Sequence, residues 1–179
     1  MILLDNTVLS NFALVKQMAL LKEYCGDKAA STNNVFDEFK QGVKERIFTD
    51  TEFDWIRGLD LSEKENTMFL NFCKKLGKGE DSCLAIAISR GHDLLSDDMA
   101  VRKIALREGV RFSGSIGVLL ELTRMGRIGL EKGNEILNGF IKCGNYSHFF
   151  VEFIFKYYNG RQSKQTSPFR NIYGLNHIM

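Results

Sequence analysis

Residues 77–105 read Gly-Lys-Gly-Glu-Asp-Ser-Cys-Leu-Ala-Ile-Ala-Ile-Ser-Arg-Gly-His-Asp-Leu-Leu-Ser-Asp-Asp-Met-Ala-Val-Arg-Lys-Ile-Ala, and no other stretch restricts the fold as tightly. The small apolar run 83–88 predicts a tightly buried helix that Gly91 ends. Residues 93–96 follow as a short buried strand, and Asp97-Asp98 stand where that strand stops. Open α/β sheets bind ligands at the carboxyl ends of their strands, so this corner is a natural site. Its acids, Glu80, Asp81, Asp97 and Asp98, are hard oxygen ligands suited to Mg²⁺ or Mn²⁺.

The rest of the chain builds a sheet around that unit. Residues 1–4 are continuously apolar and end at an acid, which predicts a central parallel strand delivering Asp5 to the sheet's carboxyl edge. Asn6 or Thr7 is then placed to cap a helix. A second strand is predicted over 28–32, followed by a helix capped by Asn33 or Asn34. Val35, Phe36, Phe39 and Val43 form that helix's apolar face and leave Glu38 on another side, placed to point back towards Asp5. Residues 48–61 leave two readings open, with Trp55, Ile56, Leu59 and Leu61 forming either a helix end or a strand. Ser62-Glu63-Lys64-Glu65 is a capping box, after which Met68, Phe69, Phe72, Cys73 and Leu76 keep helical spacing. A strand over 110–112, a helix carrying Val118, Leu119 and Leu122, and a helix over 130–142 complete the alternation. Strands alternating with helices predict an α/β fold, a three-layer α/β/α sandwich around a central parallel sheet.

Composition bounds the partners. The 179 residues, 44% hydrophobic and 26% charged, suffice for one good core. A net charge of only +2 means that a nucleic-acid partner must be held by a local basic patch. Four cysteines without C-x-x-C spacing fit thiols of a reducing compartment. There is no signal-peptide pattern and no apolar run of bilayer length, so a cytoplasmic protein without membrane contact is expected. The domain is expected to span 1–143. Residues 144–179 form an extension in which Phe150, Phe153, Ile154 and Tyr157 make a helical apolar stripe, expected to dock on the core or at an interface, before a polar tail.

Singly, Asp5, Asp97 and Asp98 are ordinary helix caps. Together with Glu38 and Glu80 they gather like charges at one edge of a sheet, which costs stability unless a cation neutralises them. Other chemistries fit poorly. Gly77-x-Gly79 lacks the third glycine of a dinucleotide loop, with Ser82 in its place. His92, His148 and His177 have no ligand spacing, and neither a G-x-S-x-G elbow nor a P-loop is present.

The residues that carry a family likeness are Leu4-Asp5-Asn6-Thr7-Val8-Leu9-Ser10, Asn34-Val35-Phe36-Asp37-Glu38, Gly77-Lys78-Gly79-Glu80, Leu94-Leu95-Ser96-Asp97-Asp98 with Arg102 and Ala105, and Gly114-Ser115-Ile116-Gly117-Val118-Leu119. In their order and spacing the chain resembles a PIN domain of the kind found in VapC-like toxins. The resemblance implies an α/β/α sandwich and metal-dependent cleavage of single-stranded RNA or DNA by clustered acids. It implies Asp5 as the first acid, Glu38 as the second and Glu80 as the third, with Asp81 competing for that place. The fourth is Asp97 or Asp98. Mg²⁺ or Mn²⁺ would be the ion, single-stranded RNA the substrate, and an antitoxin protein and a second copy of the chain the protein partners. Arg102, Lys103 and Arg107, with Lys74, Lys75 and Lys78, are candidates to hold the nucleic-acid backbone. The alternatives are a PIN fold serving as a binding or scaffold module with little catalysis, and an unrelated α/β phosphohydrolase using Asp5.

Overall fold

A computed structural model of the chain describes residues 1–45, 47, 53–72 and 78–143. Lys74, Lys75, Gly77 and the aromatic stripe of the extension lie outside the described residues. The elements are β1 (Ile2–Leu4), α1 (Asn6–Leu14), α2 (Met18–Cys25), β2 (Ala29–Thr32), α3 (Asn33–Lys44), β3 (Arg57–Leu59), α4 (Glu63–Phe72), α5 (Lys78–Arg90), β4 (Asp93–Leu95), α6 (Met99–Arg107), β5 (Phe112–Ser113), α7 (Ser115–Arg124) and α8 (Leu130–Lys142). They fall into two compact units, Met1–Ser115 and the part that starts at Ile116.

In the first unit the five strands are all parallel, in the order β3-β2-β1-β4-β5. Parallel strands covered on both faces need continuous apolar runs, and Leu3, Leu4, Ala30, Leu94 and Leu95 are fully buried. The small residues of α5 have the same cause. Cys83, Leu84, Ala85, Ile86 and Ala87 are fully buried because this helix packs on β1, β2 and β4 and against α3, α4 and α6. Strand order runs outward in one direction from β1 to β3 and in the other from β4 to β5. The switch point therefore lies between β1 and β4, where Leu4 pairs with Leu95. In open sheets the loops that leave two such strands diverge, and ligands bind outside their carboxyl ends.

Two local expectations change, and the choice left open for residues 48–61 falls to the strand. The cap of α1 is Asp5, not Asn6 or Thr7, because its extended backbone lets its Oδ1 take the Asn6 amide at 2.7 Å. The cap of α3 is Thr32, not Asn33 or Asn34, with its hydroxyl on the Val35 amide. Residues 48–61 contain β3, an edge strand with Arg57 and Gly58 exposed, which explains why no apolar alternation announced it. The capping box is present as expected: Glu65 Oε2 accepts from the Ser62 amide at 2.8 Å, and Ser62 Oγ accepts from the Glu65 amide at 3.4 Å.

In the second unit Val118, Leu119, Leu122, Ile128, Ile136, Leu137, Phe140 and Ile141 are buried. Gly126, at φ 70°, makes the turn after α7. Gly133 lets α8 come close, since a Cβ there would stand 3.1 Å from Thr123 Oγ1. Cys25 and Cys83 are buried free thiols, and burial pushes Cys25 up to about 12. Among the described residues no helix is long and apolar enough to cross a membrane.

Candidate active site

Asp5 follows β1, and Ser96, Asp97 and Asp98 follow β4, so the switch point brings together two stretches that lie about ninety positions apart in the chain. The Asp5 amide continues the ladder by donating to the Leu95 carbonyl at 3.0 Å. The preceding Leu4 carbonyl accepts from Ser31 Oγ at 2.6 Å and from Cys83 Sγ at 3.6 Å, so the backbone that carries Asp5 is held from β2 and from α5.

The Asp5 side chain is fully buried. Its Oδ2 accepts from Thr7 Oγ1 at 2.9 Å and from Ser96 Oγ at 2.7 Å. Burial, opposed by the Ser96 hydrogen bond and reinforced by the negative charge of Glu80, raises its pKa from 3.8 to about 7. Near neutral pH this carboxyl exchanges a proton, as expected of an acid taken out of water beside a like charge. Glu80 sits half-buried in the first turn of α5.

Glu38, Asp97 and Asp98 have structural duties. Glu38 reaches from α3 to the start of α5, where its Oε1 accepts from the Gly79 amide at 2.8 Å. Asp81 is fully buried in α5. Asp98 caps α6, with Oδ1 accepting from the Ala100 and Val101 amides at 2.7 and 2.8 Å. Asp97 pairs with Arg102 at 2.8 Å and also accepts from Asn11 Nδ2 and from the amide and hydroxyl of Ser115. Among the described residues no group of three or more acids, histidines or cysteines is arranged to hold a metal ion. Acidic side chains near helix starts meet the free helix amides first, and Asp5, Glu38, Asp97 and Asp98 all take such donors here.

Asp5 and Glu80 nonetheless have the donor chemistry that a divalent cation takes. Such an ion is held by one or two carboxylates together with waters and substrate phosphates, and the charge of Glu80, which adds to burial in raising the Asp5 pKa, is what a cation offsets. Asp5 Oδ1, with only the Asn6 amide on it among the described residues, keeps lone-pair capacity for a ligand.

Arg102 is turned inward, its side chain 12% exposed and its Nε on the Ser96 carbonyl, so it is not placed as an expected phosphate contact. Lys78 and Lys103 are exposed. Thr7, Asn11 and Ser115 are members of the site that sequence reasoning did not place there; Thr7 was expected only as a helix cap. The advance signals are the family-like stretches that contain Thr7 and Ser115 and, for Asn11, its position three residues after Val8 on the apolar side of the helix.

A PIN-domain family model matches residues 1–151. No curated protein and no solved structure matches the chain. The parallel five-stranded sheet, the acid that ends β1 and the acids that follow β4 agree with that match, and the chain belongs to the PIN-domain family.

Proposed function

We propose that this protein is a Mg²⁺- or Mn²⁺-dependent endonuclease that cleaves single-stranded RNA. PIN domains are typically nucleases and generally use divalent metal ions, which supports hydrolysis of a phosphodiester over the chemistry of an unrelated phosphohydrolase. The observation that carries the reading is the pairing of a fully buried Asp5 with the charge of Glu80 at the switch point. When bound, the ion would polarise a phosphodiester oxygen and lower the pKa of a water.

The chain's own residues do the rest. Thr7 and Ser96 fix Oδ2 of Asp5 and thereby the plane of its carboxylate. Glu38 anchors the first turn of α5 and so sets where Glu80 stands. Lys78 and Lys103, exposed on α5 and α6, are suited to backbone phosphates. A flexible single strand suits a crevice whose acid is buried, since a duplex backbone cannot bend into it. The role of a toxin checked by an antitoxin, and assembly as a homodimer, belong to the same reading.

The test is cleavage of a labelled single-stranded oligoribonucleotide, with its DNA counterpart and a duplex alongside, in Mn²⁺, Mg²⁺ and chelator. Asp5→Asn and Glu80→Gln should each reduce turnover by at least ~100-fold. Chelator-resistant cleavage, or an active Asp5→Asn protein, would refute the metal mechanism. A second reading, a PIN fold that binds nucleic acid with little catalysis, is favoured by the lack of a three-residue metal group among the described residues. Tight, Mn²⁺-independent binding without cleavage would establish it.

A further inference from the structure

Two adjacent acids, Asp97 and Asp98, follow β4, and the structure gives them different surroundings. Asp97 receives donors from four groups. Arg102 Nη2 and the Ser115 amide reach Oδ1 at 2.8 and 3.0 Å, while Asn11 Nδ2, at 2.9 Å, and the Ser115 hydroxyl reach Oδ2. A carboxylate has about four lone-pair sites, so this one is filled from inside the protein. The side chains of Asp97 and Arg102 are 10% and 12% exposed. Arg102 also grips the Ser96 carbonyl through Nε at 2.7 Å. Gly114 has no room for a side chain, because a Cβ there would fall on Arg102 Nη2 and Asp97 Oδ1.

The backbone of Asp97 leads from this knot to the reacting carboxylate. Its amide donates to Thr7 Oγ1 at 3.0 Å, and Thr7 Oγ1 donates to Asp5 Oδ2 at 2.9 Å. In the same way the Asp98 amide donates to Ser96 Oγ at 3.2 Å, and Ser96 Oγ donates to Asp5 Oδ2 at 2.7 Å. The two hydroxyls that orient Asp5 are thus each set by an amide of the segment that the Asp97–Arg102 pair clamps.

We propose that Asp97 and Arg102 form a positioning pair that holds the segment after β4 against Asp5, and that Asp97 is not a metal ligand. The inference rests on the nuclease reading. To bind an ion, Asp97 would have to give up Arg102, Asn11 and Ser115 and leave a guanidinium of low exposure without its carboxylate, which is costly. Acting through Thr7, Asp97 governs the geometry of Asp5 and not the charge presented to an ion.

The experiment is a double-mutant cycle of Asp97→Asn, Arg102→Gln and the double variant, read by single-stranded oligoribonucleotide cleavage in Mn²⁺ and by the Mn²⁺-induced shift in melting temperature. Each single variant should lower kcat by ~10–100-fold, as loss of a group supporting a ligand does, with KM moved by less than about threefold. The double variant should be no slower than the slower single one, because the pair acts as a unit. All three should keep the Mn²⁺ shift that Asp5→Asn loses. Loss of that shift in Asp97→Asn while Arg102→Gln keeps full kcat would make Asp97 a ligand and overturn the proposal. So would wild-type kcat in Asp97→Asn, or losses that multiply in the double variant. If Asp97→Asn does not fold, Ser115→Ala decides, since it removes one donor: a severalfold drop in kcat supports the proposal and an unchanged kcat refutes it. A wild-type protein that cleaves nothing refutes the nuclease reading instead, and the Mn²⁺ melting arm still tells a ligand from a positioning residue.

Discussion

Asp5 is where the fold bears the cost of its site, and the sign of that cost can be worked out. The unfolded carboxyl titrates near 3.8 and the folded one near 7. Between those values the folded protein keeps a proton that the unfolded chain has released, so metal-free stability is fully present below about pH 4 and falls as pH rises to about 7. Asp5→Asn, which mimics the protonated form, should show no such fall. The gap between the two proteins should open over that window and reach on the order of a few kcal/mol, read from melting in chelator across pH 4–8. A pH-independent gap would mean that Asp5 acts only as the α1 cap. Two glycines separate rigid from yielding surroundings. Gly114→Ala meets the clamped Asp97–Arg102 pair and should cost ~1–3 kcal/mol. Gly79→Ala meets the end of the Glu38 side chain, Oε2 at 2.5 Å, which can swing away for about the ~1 kcal/mol of one hydrogen bond. Comparing their melting temperatures checks both. Asp5 was readable in advance because an apolar strand runs into it. The division of labour between Asp97 and Asp98 was not, since the two are chemically alike and Asn11 and Ser115, which tell them apart, lie 86 and 18 positions from Asp97.

Helix α4 shows how far a local motif carries. Its capping box was written in Ser62 and Glu65, but the motif did not reveal that Glu65 is also the partner of Arg90 at the end of α5. Arg90 Nε and Nη2 reach the two carboxylate oxygens at 2.7 Å each, and Nη2 also reaches the Asp60 carbonyl at 2.8 Å. The Arg90 bond, above all, holds the Glu65 carboxyl down at about 2 against 4.5 in the unfolded chain. A lowered acid contributes stability that is present above about pH 4.5 and is lost as pH falls towards 2. Glu65→Gln should therefore cost ~2 kcal/mol at pH 7, discounted from a fully buried pair because Arg90 is about a third exposed, and the difference should vanish at low pH. Equal melting temperatures at pH 7 would mean that the pair adds nothing. Strand β3 marks the opposite limit: three residues with a glycine in the middle carry no period, and only pairing with β2 makes them a strand.

For the whole molecule, alternation of elements was enough to predict a parallel sheet, yet not the order of its strands. That order is set by which crossovers go to which side of β1, and no periodicity records it. The switch point that follows from it is what brings Asp5 beside Ser96 and the acids after β4. The extent of the folded domain has a similar character. The family match runs to residue 151, eight positions past the expected boundary at 143, and takes in Phe149, Phe150 and Val151. If those side chains complete a core, each contributes ~1.5–3 kcal/mol when buried, whereas the polar residues beyond Asn159 contribute little. Chains ended after Cys143, Val151 and Asn159 should then differ in order. Ending after Asn159 should move the melting temperature by less than ~2 °C, the equivalent of under about 1 kcal/mol for a chain of this size. Ending after Cys143 should lower it by ~5 °C or more and promote aggregation, and ending after Val151 should recover most of that loss. Differential scanning fluorimetry with light scattering on the three proteins decides the matter: equal melting and solubility in all of them would place the whole folded core before Gly144.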